Sequence, residues 1–133
     1  MPFNGRDEDS IRDSIRNSDV VINLIGKYYE TKHLVPTRRA DGSLSNINSS
    51  FEEVHTTLPA TIARIAKEQG AKSFIHVSAL SASPDSSSKW SRTKYAGEQA
   101  VRAEFPEAVS YNSSYILSHF LLQNLLYMYY GGC

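Results

Sequence analysis

Two short apolar runs constrain this chain most. Val20-Val21-Ile22-Asn23-Leu24-Ile25, ended by Gly26, and Ser73-Phe74-Ile75-His76-Val77-Ser78 are separated by a segment with helical periodicity. A β-branched run stopped by glycine predicts a buried parallel strand. Strands that alternate with helices imply a parallel sheet joined by right-handed crossovers. In open sheets of this kind ligands bind beyond the carboxyl ends of the strands. Those ends are Asn23–Gly26 and Ser78–Ser81, so the topology singles out two loops before any chemistry is considered.

The remaining elements fit that frame. A first helix is predicted over Asp9–Asn17, with Ile11 and Ile15 on one face and Asp7, Glu8 and Asp9 at its amino end. His33–Ser50 reads as a long loop, since Pro36, Arg38, Arg39, Asp41, Gly42 and several serines break any period. The helix after it opens on Ser50 and Glu53, spaced as a capping box. It buries Val54, Leu58, Ile62, Ile65 and Ala66, and ends at Gly70 in the C′ position. Pro59 is expected to kink or restart it, with Thr56 or Thr57 as the new cap. A Ser-rich loop over Ser81–Ser88 leads to a third helix over Lys89–Glu104, stopped at Phe105-Pro106, and Val109–Tyr111 opens a further strand. The fold class is therefore α/β: part of a Rossmann-like parallel sheet flanked by helices.

Charge excludes several functions. Fourteen basic residues balance fourteen acidic ones, which gives no electrostatic case for nucleic acid. The one cysteine, Cys133, rules out an intrachain disulfide or a Cys-rich zinc site, and the four histidines lack ligand spacing, so no metal site is expected. No apolar run is long enough to span a bilayer and no presequence is evident at Met1-Pro2-Phe3. All charges fall between Arg6 and Glu107; Ala108–Cys133 carries none yet holds five of the eight tyrosines. Leu121, Leu122, Leu125, Leu126 and Met128 in that tail are spaced as an apolar helix face, for which core packing is the first reading.

The chemistry lies in Ser78, Lys94 and position 90 between them. Lys94 is sixteen residues after Ser78, and position 90 is four before Lys94. In short-chain dehydrogenases a strand-end serine is followed by Tyr-x-x-x-Lys on the next helix, where the spacing puts Tyr and Lys on one face. The ammonium lowers the phenol pKa, so the Tyr can exchange a proton while hydride moves. Here position 90 is Trp90, whose indole N–H only donates and does not titrate usefully. No catalytic residue is therefore assigned. Rescue by Tyr95, about 100° further round the helix, is the alternative. His76 is read as a core hydrogen-bonding histidine.

An ordered set of segments then resembles one family. They are Val20–Gly26, Tyr29-Glu30-Thr31-Lys32, Phe51-Glu52-Glu53-Val54, Phe74–Ser78, Lys94-x-x-Gly97-Glu98 and Phe105-Pro106-Glu107-Ala108. Together they resemble the NADPH-binding accessory subunits of mitochondrial complex I, atypical short-chain dehydrogenase/reductases, over about Asp7 to Val109. The resemblance implies an accessory, structural subunit of NADH:ubiquinone oxidoreductase on the matrix side of the inner membrane. It would bind NADPH without turnover, contact other complex I subunits near the membrane surface, and support assembly beside the quinone site. It assigns Asn23 and Gly26 to the loop lining the dinucleotide, Ser78 to the nicotinamide end and Lys94 to the ribose. His55 stands where related enzymes often carry Asn.

Two departures shape the expected domain plan. The seven glycines form no Gly-rich phosphate turn, and Ser110–Cys133 resembles nothing in the family. Residues 1–109 are thus expected to be the central part of an NAD(P)-binding domain without its first strand-turn-helix, and 110–133 an uncharged tail. The chain itself is read as a fragment or truncated product, and NADPH binding is expected of the full-length form. Two other functions compete: an active NAD(P)-dependent reductase or epimerase of the extended type, and an NADP-sensing regulatory protein.

Overall fold

The structure is a computed structural model and describes residues 3–30, 36–38, 44–46 and 50–113. The first helix, α1, spans Glu8–Ser14. Asp7 caps it by accepting from the Asp9 N–H at 3.1 Å, and Asn17 ends the turn at a positive φ of 59°. Glu8 reaches across to Arg64 at 2.6 Å, which ties α1 to the helix within the first crossover.

Strand β1 covers Val20–Asn23, β4 Ser73–Ala79 and β5 Val109–Ser113. They form one sheet in the order β1-β4-β5, parallel throughout, with Val20 opposite Ser73, Asn23 opposite His76 and Ile75 opposite Val109. The expected parallel α/β sheet is present, and β5 extends through position 113. Strand β1 is shorter than the apolar run because the Asn23 side chain accepts the Ile25 N–H at 3.1 Å and turns the chain out of the ladder. It is also buried on one face only. Val21 and Asn23 point inward, whereas Val20 is 51% and Ile22 57% exposed.

The stretch expected to be a featureless loop contains a small antiparallel hairpin. β2 at Pro36–Arg38 pairs with β3 at Leu44–Asn46, Thr37 opposite Ser45. Three-residue strands are too short for a periodic signal, and Pro36 and Gly42 obscured the rest.

The second helix does not restart at Pro59. A π-helical segment, Glu53–Thr57, runs directly into α2, Leu58–Glu68, and Thr57 keeps helical angles without capping. The Leu58 N–H bonds the Glu53 carbonyl, a wide turn that accommodates the proline ring. Half of the expected capping box forms: Ser50 Oγ accepts the Glu53 N–H at 3.1 Å, while the Glu53 carboxylate binds Arg6. Gly70, at φ 81°, closes α2 as expected, with Ala71 N–H to Ala66 O and Gly70 N–H to Lys67 O.

Helix α3 spans Lys89–Glu104, capped by Ser88. With α2 and α1 it covers one face of the sheet. Ile11, Val21, Ile62, Ile65, Phe74, Val101 and Phe105 make the core, and Phe74 is wholly buried. The tail stripe from Leu121 to Met128 lies outside the described residues. Among the described residues no helix is long and apolar enough to cross a membrane.

Candidate functional site at the strand ends

Along the helix-facing side, strands β1 and β4 change character as they approach their carboxyl ends. β1 goes from Val21 to Asn23, and β4 from Phe74 to His76 and Ser78, all buried. Asn23 Nδ2 donates to His76 Nδ1 at 3.0 Å, a bond made possible by their direct pairing in the ladder. His76 is the hydrogen-bonded core histidine expected, but its Nε2 has no partner among the described residues.

Gly97 brings α3 close to this end. A Cβ there would lie 1.8 Å from the His55 carbonyl oxygen and 3.7 Å from His76 Nε2. Pro59 contributes to that approach, since it brings no N–H to the His55 carbonyl. On the same helix Lys94 and Glu98 are each 7% exposed.

Lys94 is the unusual group. Its Nζ lies 3.0 Å from where a Cβ on Gly26 would sit, so a side chain there would push the ammonium aside by a few tenths of an ångström. The Trp90 ring is 5.7 Å from the ammonium, a cation–π distance. Among the described residues Lys94 makes no hydrogen bond or ion pair. Burial pushes its pKa down to about 8, partly opposed by the charge of Glu98. The two histidines respond to the same environment. Burial, reinforced by Lys94, lowers His55 and His76 to about 4, so both are neutral at pH 7.

The loop after β1 is fastened over Lys94 by four residues. Trp90 Nε1 donates to the Lys27 carbonyl at 2.7 Å, and the Lys27 N–H donates to His55 Nε2 at 3.2 Å. His55 Nδ1 lies 3.0 Å from Thr93 Oγ1, which donates to the Trp90 carbonyl at 3.0 Å. His55 Nε2 also lies 3.0 Å from the Lys27 carbonyl, so two arrangements close the contacts. With its proton on Nδ1, His55 donates to Thr93 and accepts from the Lys27 N–H; with its proton on Nε2, it donates to the Lys27 carbonyl and accepts from Thr93. Phe51 stacks on the His55 ring at 5.2 Å, and Tyr28 on Trp90 at 6.1 Å. Further along the loop, Glu30 bridges the Phe51 N–H and Lys89.

Of the four residues singled out from sequence, Gly26 and Lys94 meet directly. Asn23 joins them through His76, which lies beside Gly97, and Ser78 lies two residues beyond His76 on the same strand face. Sequence reasoning left His55 without a role and did not find Thr93. Their partners are 28 and 38 residues away, and no local pattern signals such pairs. Among the described residues no cluster of three or more His, Cys, Asp or Glu side chains could hold a metal ion.

Over 109 residues the chain is 44% identical to the mouse "NADH dehydrogenase [ubiquinone] 1 alpha subcomplex subunit 9, mitochondrial", a match covering 82% of this chain and 25% of that protein. It is 41% identical over 107 residues to the Neurospora crassa "NADH-ubiquinone oxidoreductase 40 kDa subunit, mitochondrial", covering 80% and 24%. The Arabidopsis thaliana subunit 9 is 40% identical over 109 residues, covering 81% and 23%. Over its matched segment the chain is similar to this subunit 9 family. It spans about a quarter of the length of these relatives. No protein-family model matches the chain. Among solved structures, a double mutant of the dTDP-glucose 4,6-dehydratase DesIV from Streptomyces venezuelae, with NAD and DAU bound, is similar at 20% identity. The TM-score is 0.47, and the match covers 75% of this chain and 32% of that one.

Proposed function

We propose that this chain supplies the central part of a non-catalytic, nucleotide-binding accessory subunit of mitochondrial complex I, held on the matrix side among the other subunits. The observation that carries the nucleotide part is Lys94. A lysine that is 7% exposed as a residue, with no acceptor for its ammonium among the described residues, is costly unless solvent or a ligand supplies oxygens. The Gly26 turn beside it leaves the backbone free of a side chain at that point. These residues fit a nicotinamide nucleotide, NADPH in this reading. Lys94 would bind the ribose hydroxyls, Asn23 and Gly26 would line the dinucleotide, and Ser78 would lie near the nicotinamide. When bound, such a nucleotide offers a hydride. This site offers no matching proton at position 90, because the indole N–H is a donor engaged with the Lys27 carbonyl. The complex I part rests on the subunit 9 relatives and their mitochondrial names.

Two measurements on the full-length form test this. It should co-migrate with complex I on a native gel and bind NADPH, with Lys94→Ala weakening binding at least about tenfold, the loss of one charge-assisted hydrogen bond. It should not consume NADPH with carbonyl substrates. Turnover that Tyr95→Phe abolishes would overturn the non-catalytic reading, and migration apart from complex I would overturn the accessory one.

A further inference from the structure

We propose that Trp90 is the positioning residue of this site. Its indole N–H closes a ring of hydrogen bonds through Lys27, His55 and Thr93 that fixes the Gly26 turn over the Lys94 ammonium.

The geometry supplies three reasons. First, the ring is closed in either histidine tautomer: the Lys27 peptide meets His55 Nε2, His55 Nδ1 meets Thr93 Oγ1, Thr93 shares a helical turn with Trp90, and the Trp90 indole donates back to the Lys27 carbonyl. The Lys27 carbonyl is met by the indole N–H at 2.7 Å and by His55 Nε2 at 3.0 Å, so removing the indole N–H releases the loop on its α3 side. Second, the ring spans three separate elements, namely the loop after β1, the π-helical segment and α3. It therefore sets the distance between the Gly26 turn and α3, where Lys94 lies. Third, Trp90 touches the ammonium itself, its ring centroid 5.7 Å from Nζ. The residue that replaces a proton donor thus fixes where the lysine presents its charge. Only the identity of the ligand, a nucleotide whose ribose oxygens accept from Lys94, rests on the proposed function.

The charged and titratable groups facing Lys94 are Glu98 on its own helix, His55 on the π-helical segment and His76 on β4, with Lys27 acting on His55 from the loop. Competitive acylation of Lys94 against pH, read by mass spectrometry, reports its surroundings. Hydrogen exchange at the Lys27 amide reports the ring. Both are made on the 133-residue chain without nucleotide.

Trp90→Phe keeps an aromatic face and removes the N–H. It should speed Lys27 exchange at least about tenfold, as expected for one lost hydrogen bond. It should also move the Lys94 titration up from about 8 toward the ordinary lysine range, with amides of β4 unchanged. Unchanged Lys27 exchange together with an unchanged Lys94 titration overturns the proposal. If Trp90→Phe loses protection across β4 as well, Thr93→Val decides. Faster Lys27 exchange that Thr93→Ser restores supports the ring, and exchange indifferent to both substitutions overturns it. A chain that responds as expected but takes no NADPH in its full-length form keeps the ring and loses the nucleotide reading.

Discussion

The two ends of one buried layer obey opposite rules. Toward the amino ends of the strands, Val21 and Phe74 share an apolar cluster with Ile11, Ile62, Ile65, Val101 and Phe105. Two residues further along each strand stand Asn23 and His76, bonded to each other, and His55, Lys94 and Glu98 are buried and polar as well. Helix α3 contributes Val101 to the first end and Lys94 and Glu98 to the second. The first end is built to be stable. The second keeps unpartnered atoms on His76 and Glu98 and an ammonium without an acceptor, among the described residues. Departures of this kind from polar satisfaction concentrate at functional sites, so the comparison itself locates the site.

The strongest way to break the contrast is to separate the elements that meet at the polar end. Gly97→Ala would place a Cβ 1.8 Å from the His55 carbonyl, and a backbone atom cannot yield as a flexible side chain can. Unfolding in urea should show a loss above about 4 kcal/mol, with the α3 seam opening at His55. Phe74→Ala tests the apolar end. A wholly buried ring should cost about 3–5 kcal/mol and leave the Lys94 titration near its present value.

The sequence carried the apolar end well and the polar end in pieces. The end of α3, the Gly70 cap and the β4 run were legible because each has a local physical cause: a Phe-Pro stop, a positive φ and a short apolar run. Gly26 and Lys94 were legible as members of a spaced motif. The hairpin β2–β3 was not, since its strands are too short for a period. The π-helical segment was hidden because Pro59 usually signals a break, and here a wider turn absorbs it. The one-sided burial of β1 was misread because Val20 and Ile22 have the same chemistry as Val21. The ring through Trp90 joins residues up to 63 positions apart and has no local signature.

Titration should separate the two ends next. His55 and His76 are held near 4 in the folded chain against about 6.5 when unfolded. Between those values the unfolded chain binds more protons, so stability falls as pH drops from about 6.5 to 4. The loss, on the order of a few kcal/mol, should appear in urea midpoints measured across that window. Lys94 has the opposite location on the pH axis. Its folded value of about 8 lies below the unfolded 10.5, so the unfolded chain again holds the extra proton and stability rises from pH 8 toward 10. Phe74→Ala should lower both curves without changing their shape. A flat profile below pH 6.5 would mean that the histidines are not buried neutral.

The smallest expected effect has the opposite sign. Replacing Lys94 by Met and Glu98 by Gln together removes both buried charges while keeping volume. If the polar end is retained for a ligand rather than for stability, the double variant should be more stable by about 1 kcal/mol at pH 7, and the rise between pH 8 and 10 should vanish. In the full-length form it should lose NADPH affinity by more than tenfold, the loss of at least one charge-assisted hydrogen bond. Stability and binding would then move in opposite directions through one substitution pair, a result that no purely structural role for Lys94 produces. A double variant that is less stable by more than about 1 kcal/mol would instead make Lys94 and Glu98 part of the stabilising core, and the distinction between the two ends would fall.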